Sequence, residues 1–196
     1  MPNATKKQGL LLFYPHNLLW LALSVLAIVF DQLSKWFALA KIPHLDLPCQ
    51  YSADKVCAYS DSISVIPRIF DWTLAYNHGA AFSFLSDAGG WQRYLFTSLA
   101  VVVSIIFVFW LLRMPKKLLV LPLAIALILG GAVGNLIDRM TLGYVVDFIH
   151  VHYDTIWHFP VFNLADCAIT LGTILLLTDT FFLEKKRLLN TDASHD

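Results

Sequence analysis

Two aspartates stand in apolar sequence in a chain whose only glutamate is Glu184: Asp147 in Gly143-Tyr144-Val145-Val146-Asp147-Phe148-Ile149, and Asp166 in Phe162-Asn163-Leu164-Ala165-Asp166-Cys167. A carboxylate in an apolar setting is costly unless it is paired, neutralised or used. Two that converge can share one proton and activate water against a carbonyl. The chemistry on offer is aspartyl hydrolysis at a membrane surface. Asp166 also has a structural reading, because Asn163 at an N-cap with an acid three residues on makes a capping box. Asp147, in a strand-like apolar run, has its pKa raised by burial.

Other polar residues recur at helical spacing. Asp31 and Lys35 lie four apart on one helical face and can pair, with Lys35 snorkelling outwards. Asn77, in Tyr76-Asn77-His78-Gly79-Ala80-Ala81-Phe82-Ser83-Phe84, is either a polar contact beside small residues or part of a turn. In Gly130-Gly131-Ala132-Val133-Gly134-Asn135-Leu136-Ile137-Asp138-Arg139, Gly130 and Gly134 form a small-xxx-small packing pair. Asn135 and Arg139 project together from that helix end, Arg139 offers a planar donor fork, and Asp138 can hold the end in place. His150, His152 and His158 raise the question of a metal, but no His-Glu-x-x-His occurs. No Gly-x-Ser-x-Gly supports a serine mechanism. The expectation is an enzyme without metal or cofactor.

These residues need a scaffold, and composition supplies one. The 196 residues are 58% hydrophobic and 14% charged, with zero net charge. A soluble domain has about 25% charged residues, so this balance points to a membrane. The lack of net charge or a basic stripe excludes an electrostatic nucleic-acid binder. Four apolar stretches, about 17–40, 94–112, 118–136 and 164–183, are each long enough to cross a bilayer. The first is too long for a cleaved signal peptide and lacks a small-x-small site after Ala40.

Lys6, Lys7, Arg113, Lys116, Lys117, Lys185, Lys186 and Arg187 fall on one side of these spans. The positive-inside bias makes that side, and both termini, cytoplasmic. The segments at about 41–93 and 138–162 then lie outside. Strand-like runs at 62–66, 69–76 and 144–151 predict a small extracytoplasmic β-sheet beside an interfacial segment. The expected fold is an α-helical integral membrane protein of four transmembrane helices, one membrane-embedded domain over 1–196. Cys49 and Cys57, both in the first outer segment, can bridge in an oxidising compartment. Cys167 reads as a small packing residue.

Together these blocks resemble bacterial lipoprotein signal peptidase, or signal peptidase II. The likeness rests on Asp31-Gln32-Leu33-Ser34-Lys35, Asn77-His78-Gly79-Ala80-Ala81-Phe82-Ser83, Gly130 through Arg139, Val146-Asp147-Phe148 and Phe162-Asn163-Leu164-Ala165-Asp166, in the family's order. It implies an inner-membrane aspartyl endopeptidase, its site facing the periplasm, that cuts diacylglyceryl-modified prolipoproteins before the lipidated cysteine. Asp147 and Asp166 would be the catalytic pair. Asn77, Gly131, Asn135, Arg139 and Asn163 would line the site and bind substrate backbone, with Asp31 and Lys35 nearby in support. Implied partners are the prolipoproteins, membrane phospholipid and globomycin-type cyclic peptides.

The segment at 43–66 is longer than the family pattern leads one to expect, which suggests an added lid or docking surface. Deleting about 47–60 without altering cleavage of several substrates would remove that idea. Two other classes compete. A small proton-coupled carrier could use Asp31, Lys35 and Asp166, although no inverted repeat is visible. A structural partner subunit would tolerate Asp147→Asn.

Overall fold

The computed structural model describes residues 14–43, 62–78 and 91–184, the side chains of residues 92 and 93 excepted. Four long helices dominate: α1 (Leu18–Lys41), α2 (Trp91–Leu112), α3 (Val120–Thr141) and α4 (Leu164–Thr178). A 3-10 turn, Pro15–Asn17, leads into α1, and a π-helical turn, Asp179–Leu183, extends α4. The apolar spans Pro15–Lys41, Tyr94–Leu112, Val120–Thr141 and Leu164–Leu183 run to 27, 19, 22 and 20 residues. At about 1.5 Å per residue, even the shortest nearly matches a hydrocarbon core of about 30 Å.

α3 is the central helix, packed against each of the other three. Its glycines explain how. A Cβ on Gly131 would clash with the Ala165 carbonyl oxygen of α4, and one on Gly134 would meet Asp31 Oδ2 of α1 at 2.6 Å. Small residues therefore let both neighbours approach the α3 backbone closely. α2, by contrast, is almost wholly unburied along its span. At one end of the bundle, buried Leu111, Met114, Ile125 and Ala126 form an apolar cluster. The Asn17 amide donates to the carbonyls of Leu112 (3.2 Å) and Met114 (2.9 Å), joining the start of α1 to the α2–α3 turn.

At the other end lies a four-stranded antiparallel sheet: β1 (Ile63–Ile66), β2 (Phe70–Asn77), β3 (Val145–Tyr153) and β4 (Trp157–His158), in that order. Its ladder pairs backbone groups that lipid would leave unsatisfied. Leu74, Val146 and Phe148 pack onto Ala38 of α1 and Ile42 just past its end, seating the sheet on the helix end. The β1–β2 and β3–β4 turns meet where the Asp154 N–H donates to the Arg68 carbonyl (3.0 Å) and the two side chains ion-pair. Both residues hold positive φ, 71° and 49°.

The helices and three strands lie close to their expected places, but one boundary does not. α3 does not stop near residue 136. It continues through Asp138 and Arg139 to Thr141, because the Asp138 side chain is buried against α1 rather than hydrated. Gly143, at φ 90°, ends it: the N–H groups of Leu142 and Gly143 both donate to the Asp138 carbonyl (2.7 and 3.2 Å). Cys49, Cys57 and the core of the 43–66 insert lie outside the described residues.

Candidate active site

The sheet and α4 deliver the two aspartates. Alternation along β3 turns Val146 and Phe148 into the contact with α1, which leaves Asp147 on the opposite face. There it is 2% exposed. Asp166 sits in the first turn of α4, fixed by the capping box: its N–H donates to Asn163 Oδ1 (3.0 Å) while its Oδ2 accepts from the Asn163 N–H (3.2 Å). The capping account of Asp166 is therefore correct, and it leaves Asp166 Oδ1 for other partners. That oxygen accepts from the Asn135 amide at 2.9 Å.

Asn163 belongs to both carboxylates. Its Oδ1 is committed to the helix cap, so its Nδ2 must turn the other way, where it donates to Asp147 Oδ1 at 2.6 Å. The same Nδ2 lies 3.1 Å from Asn135 Oδ1, and the residue is fully buried. Asn77, the last residue of β2, donates to Asp147 Oδ2 at 3.2 Å. Each carboxylate is thus held by neutral amide donors. Burial, and then the repulsion of Asp166, push the Asp147 carboxyl up to about 8. The amides of Asn77 and Asn163 and the charge of Lys35 oppose the rise without cancelling it.

Behind the pair is a different arrangement. Lys35 does not snorkel outwards; it is 3% exposed, and its ammonium lies 2.8 Å from Asp31 Oδ2 and 2.9 Å from Asp138 Oδ2. An inward course is favoured because two carboxylates and an amide oxygen satisfy the charge where lipid could not. The third partner is Asn135 Oδ1, at 2.9 Å. That contact fixes the Asn135 amide with its Nδ2 towards Asp166, so the buried cation orients a donor that touches the pair. Asp31 Oδ1 accepts from the Ala165 N–H (2.9 Å), and Asp138 Oδ2 from the Val146 N–H (3.1 Å). Asp138 therefore ties α3 to both α1 and β3, a larger role than holding a helix end.

Asn77, Asn135, Arg139, Asp147 and Asp166 line one groove of about 720 Å³, whose walls are otherwise mostly apolar. Phe96, Leu99 and Val103 of α2 form one wall, Ile169 and Ile174 of α4 another, and Phe159–Phe162 a rim. Cys167 also faces this groove rather than packing between helices. Gly131 does not line it; its place is the α3–α4 contact. His150, His152 and His158 gather on the sheet, with ring centroids 5.1 to 5.5 Å apart, and none lines the groove.

Two contributions escape a reading of the residues alone. Gln32 donates to Asp138 Oδ1 (2.8 Å) and to the Gly134 carbonyl (3.1 Å), locking α1 to α3. Its position beside Asp31 was the only signal. The α2 wall carries no signal either, since Phe96, Leu99 and Val103 resemble any lipid-facing residues.

Known proteins resemble this chain over most of its length. The model of the family described as signal peptidase (SPase) II matches residues 23–182. A lipoprotein signal peptidase of Acinetobacter baumannii is 67% identical over 193 residues, covering 98% of this chain and all of the relative. One from Pseudomonas aeruginosa is 52% identical over 166 residues, covering 85% and 89%. A solved bacterial membrane enzyme, determined in meso at 2.3 Å, superposes with a TM-score of 0.66 at 29% identity, over 86% of this chain and 92% of the other. The helices and these likenesses define a multi-pass bacterial membrane protease. The chain belongs to the signal peptidase II family.

Proposed function

We propose that this chain is an aspartyl endopeptidase that removes signal peptides from diacylglyceryl-modified prolipoproteins, cutting before the lipidated cysteine. The observation that carries the reading is Asn163, whose side-chain amide donates to the Asp147 carboxylate while its backbone N–H donates to the Asp166 carboxylate, at the polar end of an apolar groove. At neutral pH Asp147 keeps its proton and polarises the scissile carbonyl, while Asp166 takes a proton from the attacking water. As the amine leaves, the roles exchange: Asp166 gives up the proton it gained and Asp147 recovers its own. The pair titrates as a unit, so this division describes its dominant form.

Asn135 and Asn163 hold the carboxylates, and Asn77 and Arg139, on the groove, are placed to bind substrate backbone. Asp31, Lys35 and Asp138 support them from behind, and Gly131 allows α4 to come near. This chemistry calls on no metal or cofactor. The apolar walls suit a globomycin-type cyclic peptide as well as substrate. The chain acts as one membrane-embedded unit in the bacterial inner membrane, with both termini cytoplasmic and the sheet and dyad facing the periplasm. Phospholipid surrounds it, and the substrate's own acyl chains, remaining in the bilayer, supply much of the affinity.

Incubating the purified protein with one prolipoprotein in lipidated and unlipidated forms tests the reading. Cleavage of the lipidated form alone, with the mature fragment beginning at the modified cysteine, is expected. Equal cleavage of both forms, or a cut elsewhere, contradicts it.

A further inference from the structure

A second hollow, of about 430 Å³, lies on the other side of the sheet from Asp147 and owes nothing to the groove. Its floor is α1, with Phe30, Leu33 and Phe37, and its roof is Trp72 of β2 and Phe148 of β3. Trp72 meets Phe37 edge-on with ring centroids 6.0 Å apart. The α1 residues face outwards: Phe30 and Leu33 are 59% and 57% exposed, on a helix that is long and apolar enough to span a membrane. Such a surface borders lipid.

A cation stands beside Phe37, one of the lining residues. The Lys41 ammonium, in the last turn of α1, lies 6.0 Å from the centroid of the Phe37 ring. Among the described residues no carboxylate pairs with it. From Phe30 to Lys41 is eleven residues, or about 16 Å of helix, and one leaflet's share of a hydrocarbon core of about 30 Å is about 15 Å. The cation therefore stands at headgroup depth when Phe30 stands near the bilayer centre.

We propose that this hollow binds one phospholipid, its acyl chain lying along α1 from Phe30 to Phe37 under Trp72 and Phe148, and its phosphate on the Lys41 ammonium. Charge complementarity and depth both select this occupant over a neutral lipid. The site is independent of the peptidase reading. It does abut the catalytic elements, since Phe148 adjoins Asp147 and Leu164, which also lines the hollow, opens the helix that carries Asp166.

Native mass spectrometry of the delipidated full chain, titrated with phosphatidylglycerol, phosphatidylethanolamine or diacylglycerol, tests the site. Both phospholipids should show one binding step tighter than the rest, and diacylglycerol should not. Lys41→Glu should weaken that step at least about fivefold, the scale of one cation at a lipid headgroup. Leu33→Trp, which fills the hollow from an exposed position, should weaken it independently of the charge, and Lys116→Glu, in the α2–α3 turn, should leave it intact. Diacylglycerol binding as tightly as the phospholipids overturns the proposal. So does an unchanged first step in both Lys41→Glu and Leu33→Trp, or occupation of the face by a second copy, seen as a dimer lost in Leu33→Trp.

Discussion

Two groups of carboxylates lie side by side in this protein and are treated in opposite ways. Asp31 and Asp138 share the ammonium of Lys35 and bind the N–H groups of Ala165 and Val146 and the Gln32 amide, so each of their oxygens has a partner. Asp147 and Asp166 accept neutral amide hydrogen bonds from Asn77, Asn135 and Asn163, and face a groove that Arg139 also lines. The first group is a closed structural knot; the second opens onto a groove, with Asp147 itself buried. Burial, and then the repulsion of Asp166, raise the Asp147 carboxyl to about 8, so that it holds its proton at neutral pH. The groups communicate through Asn135, whose oxygen answers to Lys35 and whose nitrogen answers to Asp166.

Removing compensation from the knot should do the most damage. Lys35→Met leaves two buried carboxylates without their cation and removes one of the two donors that hold Asn135 Oδ1. Breaking a buried pair in this way costs about 3–5 kcal/mol, so the variant should lose most of its thermal stability in detergent, and whatever folds should lose activity. A variant with near-normal melting and activity would erase the distinction between the two groups.

A steric change at the helix contact should come next. Gly131→Ala puts a methyl against the Ala165 backbone, and overpacking of this kind costs about 1–3 kcal/mol. It should lower the melting temperature and slow cleavage by moving Asp166, without shifting the pH profile. A shifted profile would place Gly131 at the site itself.

The pH dependence sharpens the comparison further. With Asp147 titrating at about 8, kcat/KM should fall about tenfold per unit as pH rises above that value. The sign for stability follows from the same shift. The unfolded carboxyl ionises near 3.9, so below about pH 4 it is neutral in both states. From about 4 up to about 8 only the folded state holds the proton, and stability from this group is lost as pH rises through that window. Asp147→Asn should therefore raise the melting temperature relative to wild type more at pH 9 than at pH 5. An equal change at both would mean that Asp147 is not carrying the proton. The smallest effect belongs to the far end of the sheet: Arg68→Ala removes an exposed ion pair with Asp154 and should leave melting and cleavage unchanged.

Much of this was legible in the sequence because membrane helices are written in composition and paired residues in spacing. Asp31 with Lys35, and Asn163 with Asp166, could be placed on common faces from their numbers alone. Burial could not be read. Hydropathy ends α3 at residue 136 because Asp138 and Arg139 look like loop residues, yet Asp138 is inside the protein on account of Lys35, a hundred residues away in the chain. The same blind spot makes Lys35 appear to reach for solvent. Gly131 suggested a substrate contact only through the company it keeps, whereas its surroundings make it a packing residue.

The central claim is that Asp147 and Asp166 work as a pair while Asp31 and Asp138 do not. Single-turnover cleavage of a diacylglyceryl-modified prolipoprotein by wild type, Asp147→Asn and Asp166→Asn, each with its melting curve, addresses it most directly. Both variants should stay folded and lose at least about a thousandfold in rate. Retention of near-normal cleavage by either folded variant would contradict the account, and for Asp166 would leave only the helix cap.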